Sequence, residues 1–296
     1  MTMVKEKHLV ISVDEKTRII DYLVDVFKSL PSKKSIKKAL KKGLILVDRK
    51  SVSSALWVEA EMKIELIEDN TMEQKVYSIE LEVVFEDDFL AVINKPSGLL
   101  SSGNQFRTLQ NALAGNLSPS TQIDAINPPK LVHRLDSSTS GLIIIAKTAR
   151  AVKLLGDLLA DKEVMKKYIA LVRGKIEDQG IITSKIEKKE AKSEFKRIET
   201  AHSNTLGPVS WIELFPHTGR THQLRIHMAE NNSPILGDRI YGDKENDIRG
   251  KGLFLAAIAL EFVHPLTNEC LKIEIHNPKK FDKYWFGVKN RNSSKD

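Results

Sequence analysis

The residue best placed to do chemistry in this chain is a single carboxylate, Asp136. It stands between an apolar and cationic approach (Val132, His133, Arg134, Leu135) and a small polar turn, Ser137 to Gly141. A β-branched run, Ile143, Ile144 and Ile145, follows and must form a buried strand. The acid is therefore expected on a loop mounted on a rigid sheet, where it can reach a substrate while the scaffold fixes its position. Asp-Ser-Ser-Thr-Ser-Gly is also good turn chemistry, because these side chains bond neighbouring backbone amides and Gly accepts positive φ.

Several other reaction classes lack their parts. No Gly-x-x-x-x-Gly-Lys-Ser/Thr loop and no Gly-x-Gly-x-x-Gly is present, so nucleotide hydrolysis and dinucleotide redox have no phosphate cradle. His222 and His227 are five apart rather than four and diverge on a helix, and the single cysteine, Cys270, excludes an intramolecular disulfide and Cys-based zinc modules. No metal site is expected. A serine nucleophile would need a Gly-x-Ser-x-Gly elbow, and glycoside hydrolysis a second acid in a suitable setting. What remains is one acid, arginines in polar turns (Arg134, Arg220, Arg225) and a strand-borne tyrosine, Tyr168. Such a set fits chemistry on a nucleotide within a polyanion. A flipped base needs a face to stack on and a side chain to occupy the vacated space, and Tyr168 and Arg134 are the natural candidates. An arginine beside Asp136 would keep it ionised and aimed.

The charge distribution points to the same kind of partner. The formal net charge is +7, and the segment from Pro31 to Lys50, with eight cations against Asp48, carries that whole excess. Within it Lys34, Lys38 and Lys42 lie four apart, as do Lys33, Lys37 and Lys41, so two adjacent rows form one helix face. Like charges at this spacing repel by about a few tenths of a kcal/mol per pair, which a phosphate backbone would relieve.

The elements that must position these groups follow from periodicity. Apolar residues at three- and four-residue spacing predict a helix over Thr17 to Leu30, and a second follows Pro31 and Ser32, ending before Gly43. Short strands are expected at Leu44 to Val47 and Met62 to Ile67, and residues 68 to 80, polar and aperiodic, read as a linker. Strands are predicted at Leu81 to Phe85, Phe89 to Ile93, Lys167 to Gly174, Ser193 to Glu199, Val209 to Pro216, Phe254 to Phe262 and Leu271 to Ile275. Helices are predicted over Ala149 to Leu159 and from Thr221, with Leu224 and Met228 facing the core. Ser101 to Lys130 reads as a substrate-facing loop with one short helix, and Lys289 to Asp296 as a disordered tail. No apolar run reaches the roughly 18 to 20 residues of a membrane span, and Met1 to His8 lack a signal-peptide core, so a cytoplasmic location is expected.

Five blocks carry a resemblance. His133-Arg134-Leu135-Asp136-Ser137-Ser138-Thr139-Ser140-Gly141 matches the His-Arg-Leu-Asp-x-x-Thr-Ser-Gly motif of the RluA-type pseudouridine synthases at every fixed position. Asn94 to Gly98, Lys167 to Ala170, Thr218 to His227 and Gly237 to Gly242 match further blocks in the same order. The resemblance implies an α+β fold with a mixed, largely antiparallel central sheet, flanking helices and an RNA cleft, and isomerisation of uridine to pseudouridine without a cofactor. It aligns Asp136 with the catalytic aspartate, Tyr168 with the stacking tyrosine, Arg225 with the arginine that pairs with that aspartate, and Arg134 with a residue that enters the RNA helix when the base leaves. His133, Arg220 and His222 are expected to join Arg134, Lys34, Lys38 and Lys42 in binding RNA. Ala256 departs from the family, which often has His there. The N-terminal helices and strands resemble an S4 RNA-binding module, with Asp48-Arg49 and Ala60-Glu61 where the usual small turn and Gly-Asp stand. The implied organisation is an S4-like domain at 1–68, a linker at 69–80, a catalytic domain at 81–288 and a tail at 289–296. The expected substrate is large-subunit ribosomal RNA, acted on by a monomer; transfer RNA, or a catalytically idle ribosome-assembly role, are the alternatives.

Overall fold

The structure, a computed structural model, describes residues 3–13, 15–68, 76–242, 248 and 250–290. Its first part is a four-stranded sheet flanked by short helices. Strand β1 (Val4–Leu9) pairs antiparallel with β4 (Lys63–Ile67), which pairs with β2 (Ile45–Val47); β2 turns back into β3 (Lys50–Ser51). The predicted helix at 17–30 is a single turn, α1 (Ile19–Tyr22), because Asp25 takes φ +66° and breaks the ladder between the β-branched Val24 and Val26. The apolar spacing survives the break, since Ile19, Leu23 and Phe27 are all buried in one cluster with Ile36, Ile45 and Ile64. Helix α2 (Lys33–Lys41) begins with Ser32, whose side chain accepts from Ser35 N–H while Ser35 Oγ accepts from Ser32 N–H. It buries Ile36, Ala39 and Leu40, and Gly43 at φ +68° follows its end.

The remainder is built on one ten-stranded sheet. Strands β5 (Glu82–Glu86), β6 (Leu90–Lys95), β7 (Ala125–Leu131) and β8 (Ser140–Thr148) make an antiparallel half. A second antiparallel group holds β9 (Met165–Arg173), β10 (Gln179–Ile186), β11 (Lys189–Ser203), β12 (Gly207–Pro216), β13 (Leu255–Val263) and β14 (Cys270–Glu274). The halves join where β13 runs parallel to β8, Ala256 opposite Ser140 and Ala257 opposite Gly141. Gly141 takes φ +115°, and a Cβ there would lie 2.0 Å from the Ala257 carbonyl oxygen, so only glycine permits this approach. The mixed, largely antiparallel sheet matches the expectation from sequence.

Helix α4 (Ala149–Ala160) packs Leu155 and its neighbours on one face of the sheet, after a short α3 (Leu109–Ala112); α5 (Gln223–Glu230) buries Leu224 and Met228 on the other half, and α6 (Lys279–Asn290) buries Phe281, Trp285 and Val288. Helix α6 takes in Lys289 and Asn290, which the sequence assigns to the tail; residues 291–296 lie outside the described residues. Residues 69–75 lie outside the described residues, but 76–80 are bound to the large unit: Tyr77 N–H donates to the Asn111 carbonyl and Asn116 Nδ2 donates to the Ile79 carbonyl. Much of 101–130 is likewise structured, in α3 and β7, and none of it lines the cleft described below.

Candidate active site

The Asp136 loop is fastened from beneath by the segment that follows β6. Ser101 Oγ donates to the Leu135 carbonyl at 2.6 Å and accepts from Leu135 N–H at 3.1 Å, while Ser97 Oγ donates to the Ser138 carbonyl at 2.8 Å. Lys95 is fully buried, and its ammonium donates to the carbonyls of Leu99 (2.8 Å), Pro96 (2.9 Å) and Ser137 (3.3 Å). Burial pulls its pKa down to about 8, and the nearby Asp136 charge opposes that pull. The turn residues thus have the mounting role that their chemistry suggests, and Thr139 N–H closes the turn on the Asp136 carbonyl.

Asp136 emerges from this mounting with its side chain 18% exposed, into a cleft of about 950 Å³ between the two halves of the sheet. Tyr168, half-buried on β9, lines the same cleft. Burial, and then the Asp136 charge, push its hydroxyl pKa well above the usual value, so it stands there as a neutral phenol. Arg225 reaches in from α5 and places Nη1 3.4 Å from Asp136 Oδ2. The aspartate, tyrosine and arginine that the sequence singles out therefore do come together.

The expected Arg225–Asp136 pair is, however, the weaker of two. Arg225 forks onto Asp238, with Nε and Nη2 each 2.7 Å from a carboxylate oxygen, and Asp238 Oδ1 also accepts from Ile240 and Tyr241 N–H. Burial alone would raise the Asp238 pKa; the Arg225 hydrogen bonds, these two backbone donors and the Arg225 charge outweigh it and hold the carboxyl low. Arg225 is in turn pushed up, Asp238 and then Asp136 overcoming its desolvation. The guanidinium is thus anchored by Asp238 and offers its remaining edge to Asp136. Sequence reasoning missed Asp238, although it lies in the Gly237 to Gly242 block, because only the fold shows which acid an arginine meets.

The expected RNA-binding residues divide. Arg134 is exposed and lines the cleft, as does Arg220, whose Nε donates to the Glu190 carbonyl at 3.1 Å. His133 also lines it but has a structural engagement: its Nε2 accepts from Ile144 N–H at 2.9 Å. Burial, followed by the charge of Lys166, lowers its pKa to about 3. Since the unfolded imidazole titrates near 6.5, His133 adds stability that is complete above about pH 6.5 and is lost as pH falls towards 3, at no more than about 1.4 kcal/mol per pH unit. His133→Gln, which keeps an acceptor but cannot titrate, is expected to flatten the pH dependence of urea stability in that window; an unchanged slope would refute this role. Lys166, also missed from sequence, lines the cleft with its ammonium pKa lowered by burial. His222 lies 3.7 Å from Asp136. Ala256 is fully buried at the β8–β13 junction, packed with Ile169, Phe254 and Ile258. Lys34 and Lys38 are exposed on α2 and Lys42 at its C-cap, and Lys33 is drawn to Asp21 at 2.7 Å, a counter-charge that the sequence reading did not foresee.

A sheet split by a cleft, with a loop-borne acid between an anchored arginine and a neutral tyrosine, is a setting that suits chemistry on a nucleotide base. A family model described as RNA pseudouridylate synthase matches residues 89–230, the stretch that holds Asp136, Tyr168 and Arg225. Ribosomal large subunit pseudouridine synthase C of Escherichia coli K12 is 33% identical over 306 residues, covering 90% of this chain and 92% of its own length. A protein of Aquifex aeolicus described as an uncharacterized RNA pseudouridine synthase is 31% identical, with the same coverage. The solved structure of human RNA pseudouridylate synthase domain containing 1 superposes with a TM-score of 0.56 at 26% identity, over 67% of this chain and 84% of that one. The chain belongs to the RNA pseudouridine synthase family, and it is an isomerase acting on RNA.

Proposed function

We propose that this enzyme converts uridine to pseudouridine in large-subunit ribosomal RNA, with Asp136 as the reacting carboxylate. The observation that carries the assignment of Asp136 is its convergence with Arg225 and Tyr168 in one cleft. The reaction replaces an N1–C1′ bond with a C5–C1′ bond and is redox neutral, so it needs no electron carrier. A carboxylate beside the ribose either attacks C1′ or takes the C2′ proton, and in both routes Arg225 Nη1, 3.4 Å from Oδ2, orients it. Tyr168 offers the detached uracil a face, and Arg134 fills the space that the base leaves in the RNA helix. Loss of the C5 proton and protonation of N1 complete the exchange, so that the product is an isomer of the substrate. The ribosomal substrate rests on the likeness to the Escherichia coli ribosomal large subunit synthase, and a cytoplasmic location follows from that substrate.

The N-terminal unit is read as an S4-like RNA-binding domain over residues 1–68, with the catalytic domain over 81–288. The basic surface of α2 continues onto the large unit: Lys130 on β7 has its pKa lowered by burial and then by the charges of Lys38 and Lys42. Lys5 Nζ donates to the Ala125 carbonyl at 2.9 Å beside this region. Changing Lys34, Lys38 and Lys42 together to Gln is expected to weaken RNA binding and to flatten its log–log salt dependence by about 0.7 to 0.9 per lost phosphate contact. An unaltered slope in filter-binding titrations would mean that the face is merely solvated.

The substrate is tested by mapping pseudouridines in cells with and without the gene. Loss at discrete positions of large-subunit ribosomal RNA, restored by the wild-type gene, is the expected result. Loss confined to transfer RNA would replace the substrate, and no loss anywhere would favour an idle assembly factor.

A further inference from the structure

The sequence places His222 among the RNA contacts, but its surroundings point elsewhere. It is the N-cap of α5 and takes φ +56°, a left-handed conformation that costs a β-carbon residue about 1 kcal/mol or more and persists where the surroundings enforce it. Its imidazole stands between two partners. Nδ1 lies 3.0 Å from the Tyr241 hydroxyl, the two rings meeting edge to face, and Nε2 lies 3.7 Å from Asp136 Oδ1. The other oxygen of that carboxylate, Oδ2, faces Arg225. Tyr241 is itself held, through its N–H to Asp238 and through its ring beneath the Arg225 guanidinium at 5.2 Å.

A phenol has one proton to give, and a neutral imidazole carries its proton on one nitrogen or the other. When Tyr241 O–H donates to Nδ1, the imidazole proton sits on Nε2, on the side of Asp136. We propose that His222 is a positioning residue for Asp136: Tyr241 fixes the tautomer whose Nε2–H faces Oδ1, so that His222 and Arg225 hold the carboxylate plane between two donors. The 3.7 Å separation is longer than a formed hydrogen bond, and catalytic hydrogen bonds commonly tighten when substrate binds. Asp238 then fixes both donors, since it forks onto Arg225 and holds the backbone of Tyr241.

This inference rests on Asp136 being the reacting group, and the experiment separates the two. The probe is transcribed large-subunit ribosomal RNA tritiated at uracil C5, which releases its label on isomerisation. Single-turnover rate and RNA dissociation constant are measured for five variants. His222→Asn accepts the left-handed backbone but is too short to reach Asp136, whereas His222→Gln places an amide N–H near the Nε2 position. Tyr241→Phe removes the proton that selects the tautomer; the double variant and Asp136→Asn complete the set. His222→Asn is expected to slow turnover by about 100-fold with RNA affinity within about twofold of wild type, since a misplacement of about 1 Å can cost that much. His222→Gln should recover most of the rate. Tyr241→Phe should cost about 10-fold, and the double variant should be no slower than His222→Asn, because Tyr241 acts through His222. Weakened RNA binding at an unchanged rate in His222→Asn, a Gln variant as slow as the Asn one, or multiplicative losses in the double variant would each overturn the proposal. An active Asp136→Asn would instead overturn the assignment of Asp136 itself.

Discussion

Changing Asp136 to Asn is expected to abolish pseudouridine formation, by at least about 10³-fold in single-turnover rate, while RNA still binds and the fold is unchanged. The substitution removes the charge and the proton-accepting, nucleophilic oxygens but almost none of the volume. Its structural consequences are small because the loop does not depend on the carboxylate: Ser97, Ser101 and Lys95 hold the backbone of residues 135 to 138. Arg225 is not orphaned either, since Asp238 keeps its two short bonds. Nucleoside mass spectrometry of the reacted RNA, alongside filter binding, separates chemistry from affinity. Full activity in this variant would remove Asp136 from the mechanism.

Arg225→Met should be costly in a second way. It removes a donor from Asp136 and leaves Asp238, with a side chain 1% exposed, as a buried carboxylate supported, among the described residues, by the Ile240 and Tyr241 amides. Breaking such a pair by removing one partner costs about 3 to 5 kcal/mol, the larger part here arising at Asp238. The midpoint of urea denaturation should fall accordingly, with turnover reduced as well. The paired variant Arg225→Met with Asp238→Asn should regain much of the stability without regaining activity, because it removes both charges while keeping an oxygen for the Ile240 and Tyr241 amides. A stability unchanged by Arg225→Met would mean that the fork does not hold in solution.

These two variants also mark what a sequence can and cannot convey. The Asp136 loop and the β8 strand are legible because a turn signal adjoins an unbroken β-branched run, and both signals are local. Helix α4 and strand β9 are legible for the same reason, their periodicity being strong over nine residues or more. Strand β1 is not, since Lys5, Glu6 and Lys7 interrupt any apolar alternation on an edge strand, and β10 is similarly polar. The helix predicted over Thr17 to Leu30 fails at Asp25, where one left-handed residue overrides a pattern that the buried side chains nonetheless satisfy. Within the site, residue types singled out the acid and the tyrosine, and the family resemblance chose Arg225 among the arginines. They did not reveal that Lys95 is spent on carbonyl groups under the loop, or that Arg225 is tied first to Asp238. Those facts depend on which distant segments fold together.

The two-residue parallel contact between β8 and β13 has a consequence for inheritance. Asp136 belongs to one half of the sheet, and Tyr168, His222, Arg225 and Asp238 to the other, so the alignment of the aspartate with these four residues is set by the splice at Gly141 and Ala257. Mutations there bear on Lys95, which pairs with Gly141, and on Tyr168, which pairs with Ala257, and they shift one set of residues against the other. Variants with intact chemistry and lost turnover should therefore cluster along this seam, and their suppressors should arise on its opposite side.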